Sequence, residues 1–345
     1  MTSAAIYGPE GQTLSADEKA FFRDADPWGF IIFARNIDTP KQVARLTGSL
    51  RDLVGRDAPV FIDEEGGRVQ RFRPPHWRDG PAAGRFGALW DVDPQAAMTA
   101  VRLNHQLMGR ELKDAGVDAD CAPVVDLEIP GADAVIGDRA FHGEPFAVGA
   151  MAAAALDGLA DQGVAGVIKH IPGHGRAGVD SHFDLPRVDV DRDTLIASDF
   201  AAFRAVSKAF MAMTAHIVYE AYDEERCATL SKSVIDEVIR GDIGFDGLLM
   251  TDDLSMKALG GTMRARAEAS ITAGCDMLLH CNADMAEMVE VAHAAPRLDA
   301  KALERAEAAE AARRTPSEFD PKAAEAELSG LFLKAGVAMR EEAGA

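Results

Sequence analysis

Eight short apolar runs recur along the chain, at residues 4–7, 30–33, 60–63, 121–125, 164–168, 210–214, 248–251 and 277–280. Most lack the apolar–polar alternation of a strand with one wet face, which is the pattern of parallel strands covered on both sides. Between them the spacing of apolar positions turns helical. It predicts helices over 15–23, 40–53, 94–115, 145–162, 191–207 and 231–240, and one more behind each of the last two runs. Eight strand–helix units predict an α/β fold closed into a (β/α)8 TIM barrel, with an open doubly wound sheet as the alternative. A tail rich in Ala, Glu, Arg and Lys (298–342) reads as exposed helices packed on the outside, broken at Thr315-Pro316. No internal repeat or low-complexity linker interrupts the chain. Residues 1–345 are therefore expected to form one domain, with about 298–345 as its helical extension.

The periodic pattern fails most completely over 169–186, KHIPGHGRAGVDSHFDLP. This stretch follows the fifth apolar run and holds three histidines (His170, His174, His182), Lys169, an aspartate two residues before the last histidine, and three glycines. A segment this polar is a loop, and loops carried on a rigid barrel are where chemistry is placed. Composition narrows the choice of partner. Among 345 residues, 48% are hydrophobic, enough for a large core, and the formal net charge is -20. Nucleic acid and anionic membrane would both repel such a chain. The four cysteines (Cys121, Cys227, Cys275, Cys281) lack paired spacing, which argues against a disulfide framework or a zinc cluster. The N-terminal residues carry no basic-then-apolar export signal, and no apolar run approaches the ~20 residues of a membrane helix. The expectation is a reduced, cytoplasmic protein, a monomer rather than an oligomer.

In a barrel of this kind the reacting groups come from the segments after each strand. Those segments supply Asp63, Glu64, Glu65, Arg68 and Arg71 after the third run, and Asp126, Glu128, Asp138, Arg139 and His142 after the fourth. The central loop follows the fifth, His216 the sixth, and Asp252 with Asp253 the seventh. Glycoside cleavage needs a carboxylate to meet a developing oxocarbenium centre and an acid to protonate the departing oxygen. Asp252 or Asp253 can be the first, and only one of two adjacent strand residues faces the site. Asp180 and His182 can form a dyad in which the carboxylate orients an imidazole that gives a proton and takes it back. Asp63, Arg139, Lys169 and His170 are placed to hold sugar hydroxyl and amide groups. Blander readings stand beside these: solvated acids in the Gly-rich turn, an Asp helix cap at 252–253, and structural histidines at 216 and 280.

Together, KHIPGHG with the following DSH, DEEGGRVQR, IGDRAFH and TDDLSM resemble the β-N-acetylglucosaminidases of glycoside hydrolase family 3, in particular the single-domain bacterial cytoplasmic branch of peptidoglycan recycling. The likeness runs from IIFARN at 31–36 to AGCDMLL at 273–279. It implies a barrel and a retaining reaction without metal or cofactor, with Asp252 as nucleophile, His182 as general acid/base and Asp180 as its partner. It also implies that Asp63, Arg71, Arg139, Lys169 and His170 contact the N-acetylglucosamine unit. The implied substrate is N-acetylglucosaminyl-1,6-anhydro-N-acetylmuramic acid and its peptides. Ile171, Glu64, Thr251 and Arg176-Ala177-Gly178 depart from the family pattern, and Arg176 bears on how the loop covers the site. Three rival functions share the residues: a phosphorylase, because an imidazole tolerates phosphate where a carboxylate repels it; a Schiff-base aldolase using Lys169; and a sugar-binding barrel with no nucleophile.

Overall fold

A computed structural model describes residues 2–178, 185–313 and 315–340. Its sheet consists of β1 (Ser3–Tyr7), β2 (Pro27–Ile32), β3 (Val60–Ile62), β4 (Ala119–Asp120), β5 (Ala165–Ile171), β6 (Met211–Thr214), β7 (Leu248–Met250) and β8 (Leu278–His280). The strands lie in the order β8-β1-β2-β3-β4-β5-β6-β7, and every pairing is parallel. The remaining seam closes through a parallel bridge between Met250 and Met277, where the Thr251 N–H donates to the Met277 carbonyl at 3.0 Å. The expected barrel is the observed fold.

Why the strands show no alternation is visible in their two faces. Ile6, Phe61, Cys121, Val167, Met211, Met213, Leu248 and Leu279 fill the interior. Ala5, Tyr7, Phe30, Ile32, Val60 and Ile62 pack outward beneath helices. Both faces are apolar, so period 2 vanishes from the sequence. The covering helices start and stop on local signals. Ser15 and Glu18 form a capping box for Ala16–Ala25. Thr39 caps Pro40–Val54, which ends at Gly55 in the left-handed region.

Four elements differ from the pattern. β4 covers 119–120, just ahead of the expected run at 121–125, where Pro123 has no N–H to give the ladder. Pairing with β5 continues there as single bonds and a bridge: Val167 donates to the Ala122 carbonyl, Lys169 to that of Pro123, and Val124 bridges Lys169. The helix expected over 191–207 is two helices, Arg192–Ala197 and Asp199–Ala205, broken at Ser198 (φ -117, ψ -90). Val234–Asp242 winds as π-type turns rather than α, and a helix at Ala83–Trp90 lies inside what read as a long loop.

The first C-terminal helix also takes a different place from the one its composition suggests. Ala300–Ala311 does not lie against the outer wall. Its Ala306 and Ala309, with Ala312 behind them, join the interior cluster, so the helix stops the N-terminal end of the barrel. Arg305 reaches Asp276 at the foot of β8 (2.9 Å), and Arg313 reaches Asp118 at the foot of β4 (2.6 Å) on the opposite side. Trp28 at the start of β2 donates to Glu310 at 2.7 Å. The helix Pro321–Ala335 buries Ala324, Leu328 and Phe332 beside the helix Pro94–Asp114. Among the described residues no helix is long and apolar enough to cross a membrane.

Candidate active site

A cavity of about 320 Å³ opens at the C-terminal ends of the strands, where a barrel of this type keeps its chemistry. Asp63, Glu65, Arg71, Arg139, Lys169, His170 and Asp252 all line it, with Phe33, Met213 and Met256 as apolar wall. The segment after β3 turns sharply at Gly66 (φ 88) and Gly67 (φ 55). A Cβ on Gly66 would stand 2.5 Å from the Pro81 carbonyl oxygen, so the turn needs glycine for conformation and for space.

That turn sends three consecutive acids to three different sets of partners. Asp63 accepts from Lys169 Nζ at 2.8 Å and from Arg71 Nη2 at 3.4 Å. Glu64 faces away from the cavity and is buried; one of its oxygens accepts the backbone N–H groups of Arg71 (2.7 Å) and Phe72 (3.0 Å). Burial pushes its carboxyl up to about 7. Glu65 holds Lys169 Nζ at 2.7 Å and grips Arg139 with both oxygens, at 2.8 and 2.9 Å. Charges therefore alternate from Arg71 through Asp63, Lys169 and Glu65 to Arg139. Burial opposes ionisation in every buried member, but the opposite charges win. Asp63 and Glu65 sit below the usual carboxylate range, and Lys169 and Arg139 above their ordinary values.

Strand β5 delivers Lys169 and His170 to the cavity as neighbours, because its register with β6 shifts between Ile168 and Ile171. His170 is oriented from behind by Asp126, which is fully buried. Asp126 bonds His170 Nδ1 at 2.7 Å and accepts the N–H groups of His170 (3.1 Å) and His174 (2.6 Å). With Nδ1 engaged, the ring has Nε2 left for the cavity. Burial raises the Asp126 carboxyl, but His170, His174 and the His174 N–H together outweigh burial, and the net shift is downward. The same burial, with His170 alongside, pushes His174 down to about 4.

At the end of β7 the two aspartates part company. Asp253 is taken up by its own turn, accepting from Ser255 N (3.0 Å), Ser255 Oγ (2.5 Å) and Cys281 N (3.1 Å). Asp252 accepts the Asp253 N–H at 2.8 Å and borders the cavity beside Lys169 and His170. Burial disfavours its charge, but His216, His170 and the Asp253 N–H outweigh burial and hold it below the usual carboxylate range. His216 bonds Thr229 at 2.7 Å and the Asp253 carbonyl at 3.0 Å, which makes it part of the frame under the pair. The arrangement is an ionised carboxylate at the floor of a cavity whose walls offer charged hydrogen-bond donors. It suits attack on, or stabilisation of, an electron-poor carbon in a polyhydroxylated ligand.

Residues 11–316 match the model of the glycosyl hydrolase family 3 N terminal domain. The chain belongs to glycosyl hydrolase family 3. It is 41% identical over 281 residues to the beta-hexosaminidase of Alkalilimnicola ehrlichii, covering 80% of either chain. It is 38% identical over 279 residues to that of Bordetella avium, covering 79% of this chain and 78% of the relative. Native NagZ from Neisseria gonorrhoeae superposes with a TM-score of 0.84 at 34% identity, covering 96% of this chain and 98% of that one. The same protein has been solved in complex with N-trifluoroacetyl-D-glucosamine, with equal similarity. The chain is thus a glycoside hydrolase of the β-hexosaminidase kind, and its ligand is a carbohydrate.

Six of the eight site residues singled out in the sequence of this family 3 hydrolase meet around one cavity: Asp63, Arg71, Arg139, Lys169, His170 and Asp252. Asp180 and His182 lie outside the described residues. Glu65 and Asp126 had been noted as acids after strands three and four without a role. Their signal was weak because each acts on other protein groups. His142 bonds Asp91 at 3.2 Å and the Glu144 N–H at 2.9 Å, and it shapes the segment behind Arg139. The departures from the family pattern are absorbed by the frame. Ile171 is buried in the core, and the Thr251 hydroxyl accepts the Leu279 N–H at 2.9 Å across the barrel seam. Arg176 pairs with the buried Asp199 at 2.7 Å, in the gap opened by the Ser198 break. A Schiff-base lysine must shed its proton, whereas Lys169 is held as an ammonium between two carboxylates, against the aldolase reading.

Proposed function

We propose that this chain is a retaining exo-β-N-acetylglucosaminidase that removes terminal N-acetylglucosamine from peptidoglycan fragments, N-acetylglucosaminyl-1,6-anhydro-N-acetylmuramic acid and its peptide-bearing forms. Asp252 attacks the anomeric carbon and carries the glycosyl group as a covalent ester. His182, charged and oriented by Asp180, protonates the departing oxygen and then draws a proton from the water that frees the sugar. Asp63, Arg71, Lys169, His170 and Arg139 take the hydroxyl and acetamido groups of that sugar. The observation that carries this reading is Asp252 itself: it borders the cavity as an anion, whereas Asp253, which also lines it, has both carboxylate oxygens taken by Ser255 and Cys281. Kinship with beta-hexosaminidases supports the substrate class, and the muropeptide aglycone rests on the family resemblance.

The test is turnover of an aryl N-acetyl-β-glucosaminide by the wild type and by Asp252→Asn. The amide is isosteric but a poor nucleophile, so kcat should fall by a factor on the order of 10⁴. A 2-fluoro glycosyl donor should label Asp252 in the wild type. Retention of most activity by the variant would overturn the assignment.

A further inference from the structure

Glu65 touches no part of the backbone of its substrate-binding neighbours, yet two of the five proposed sugar contacts depend on it. One oxygen lies 2.7 Å from Lys169 Nζ and 2.9 Å from Arg139 Nη2, and the other 2.8 Å from Arg139 Nε. The Glu65 side chain is 5% exposed and that of Lys169 2%. Lys169 comes from β5 and Arg139 from the segment after β4, so only the carboxylate joins them. Without it, a buried ammonium and a mostly buried guanidinium of like charge would border the same cavity and repel each other.

We infer that Glu65 is a positioning residue for sugar binding: its carboxylate braces Lys169 against Arg139 and keeps both donors aimed at the ligand. It also fixes the sign of the pocket. Arg68, Arg71, Lys169 and Arg139 against Asp63, Glu65, Asp252 and Asp253 balance, so a neutral sugar enters a neutral pocket. Removing the Glu65 charge leaves one net positive charge, which suits an inorganic anion. The depressed carboxyl of Glu65 and the elevated Arg139 and Lys169 agree with this brace. The inference rests on the reading of the cavity as an N-acetylglucosamine site.

The experiment compares the wild type, Glu65→Gln, Glu65→Asp and Arg139→Ala with and without Glu65→Gln. With an aryl N-acetyl-β-glucosaminide, Glu65→Gln should raise KM about 10- to 100-fold with kcat changed little, and Glu65→Asp should recover part of the loss. Added to Arg139→Ala, Glu65→Gln should cost less than it does alone, since one of its two clients is gone. Inorganic phosphate should inhibit Glu65→Gln and leave the wild type unaffected at the same concentration. A fall in kcat with KM unchanged, or fully multiplicative losses with Arg139→Ala, would overturn the brace. A second readout separates this from failure of the functional reading. The slowly exchanging ¹⁵N ammonium signal of Lys169, assigned by its loss in Lys169→Arg, should be present in the wild type and shifted or lost in Glu65→Gln. If the wild type turns over no glucosaminide the functional reading falls, and the ammonium signal alone decides the brace: an unchanged signal overturns it.

Discussion

Glu64 stands beside two acids that meet cations, yet it is buried and its carboxylate's hydrogen-bond partners are backbone N–H groups. Its folded carboxyl titrates at about 7 against an ordinary 4.5, with burial as the leading cause. The native state therefore binds more protons than the unfolded chain between those values. Stability from this group is whole below about 4.5 and is lost as pH rises through about 7, by up to about 3 kcal/mol. Glu64→Gln keeps an acceptor for Arg71 and Phe72 and removes the charge. Its melting temperature relative to the wild type should rise between pH 4.5 and pH 8, read by thermal melts at the two values. His105, pushed down to about 4 by burial, acts in the opposite direction in both proteins and cancels. A difference that does not change with pH would refute the assignment. Neither this nor the role of Glu65 was legible in DEEGG. Alternation tells which side a strand residue faces, but it ends at Ile62, and the glycine turn that follows sends each acid its own way.

At the scale of elements, the loop after β5 is held at its start by neighbours from several strands. Asp126 takes the His174 N–H of the loop together with the N–H and ring of His170 at the end of β5, and Tyr219 O–H donates to the Gly173 carbonyl at 2.5 Å. Arg176 ties the loop to Asp199. Asp126→Asn would present an amide N–H₂ to groups that are themselves donors, so the loop and the His170 ring should lose their setting. A fall in kcat/KM of about 10- to 100-fold is expected, with the far-ultraviolet circular dichroism unchanged. Activity within twofold of wild type would sink the claim that Asp126 orients His170. The positions of the strands were readable because two buried faces leave an apolar run in the sequence. The break at Ser198 was not, because its cause is distant. Asp199 turns to meet Arg176, 23 residues earlier, and no local propensity records that pairing. β4 reads two residues late for the converse reason: the apolar run begins at Cys121, whereas the regular ladder lies at Ala119 and Asp120 and Pro123 interrupts it beyond.

Over the whole molecule, the barrel separates stability from chemistry. The cavity lies at the C-terminal ends of the strands, and the helix Ala300–Ala311 closes the other end with alanines pressed into the barrel interior. A helix of 12 residues is about 18 Å long, enough to carry Arg305 toward β8 while Arg313, just beyond it, reaches β4 across the barrel floor. The sequence hid this placement. Alanine is as much at home on an exposed helix as against a core, and the flanking Glu, Lys and Arg read as a solvated surface when several of them are anchors. Ala309→Asp tests the arrangement. Ala309 is 1% exposed and packed in the cluster of Ala306, Trp28 and the interior methionines, and the two cations four residues away on either side, Arg305 and Arg313, are already paired with Asp276 and Asp118. The unpaired charge should cost about 3–5 kcal/mol, enough to lower the melting temperature by several degrees. Below that temperature KM for an aryl N-acetyl-β-glucosaminide should match the wild type, since the lesion is a barrel's length from Asp252. A raised KM in the folded variant would mean that the plug communicates with the site, and the division between the two ends of this barrel would have to be given up.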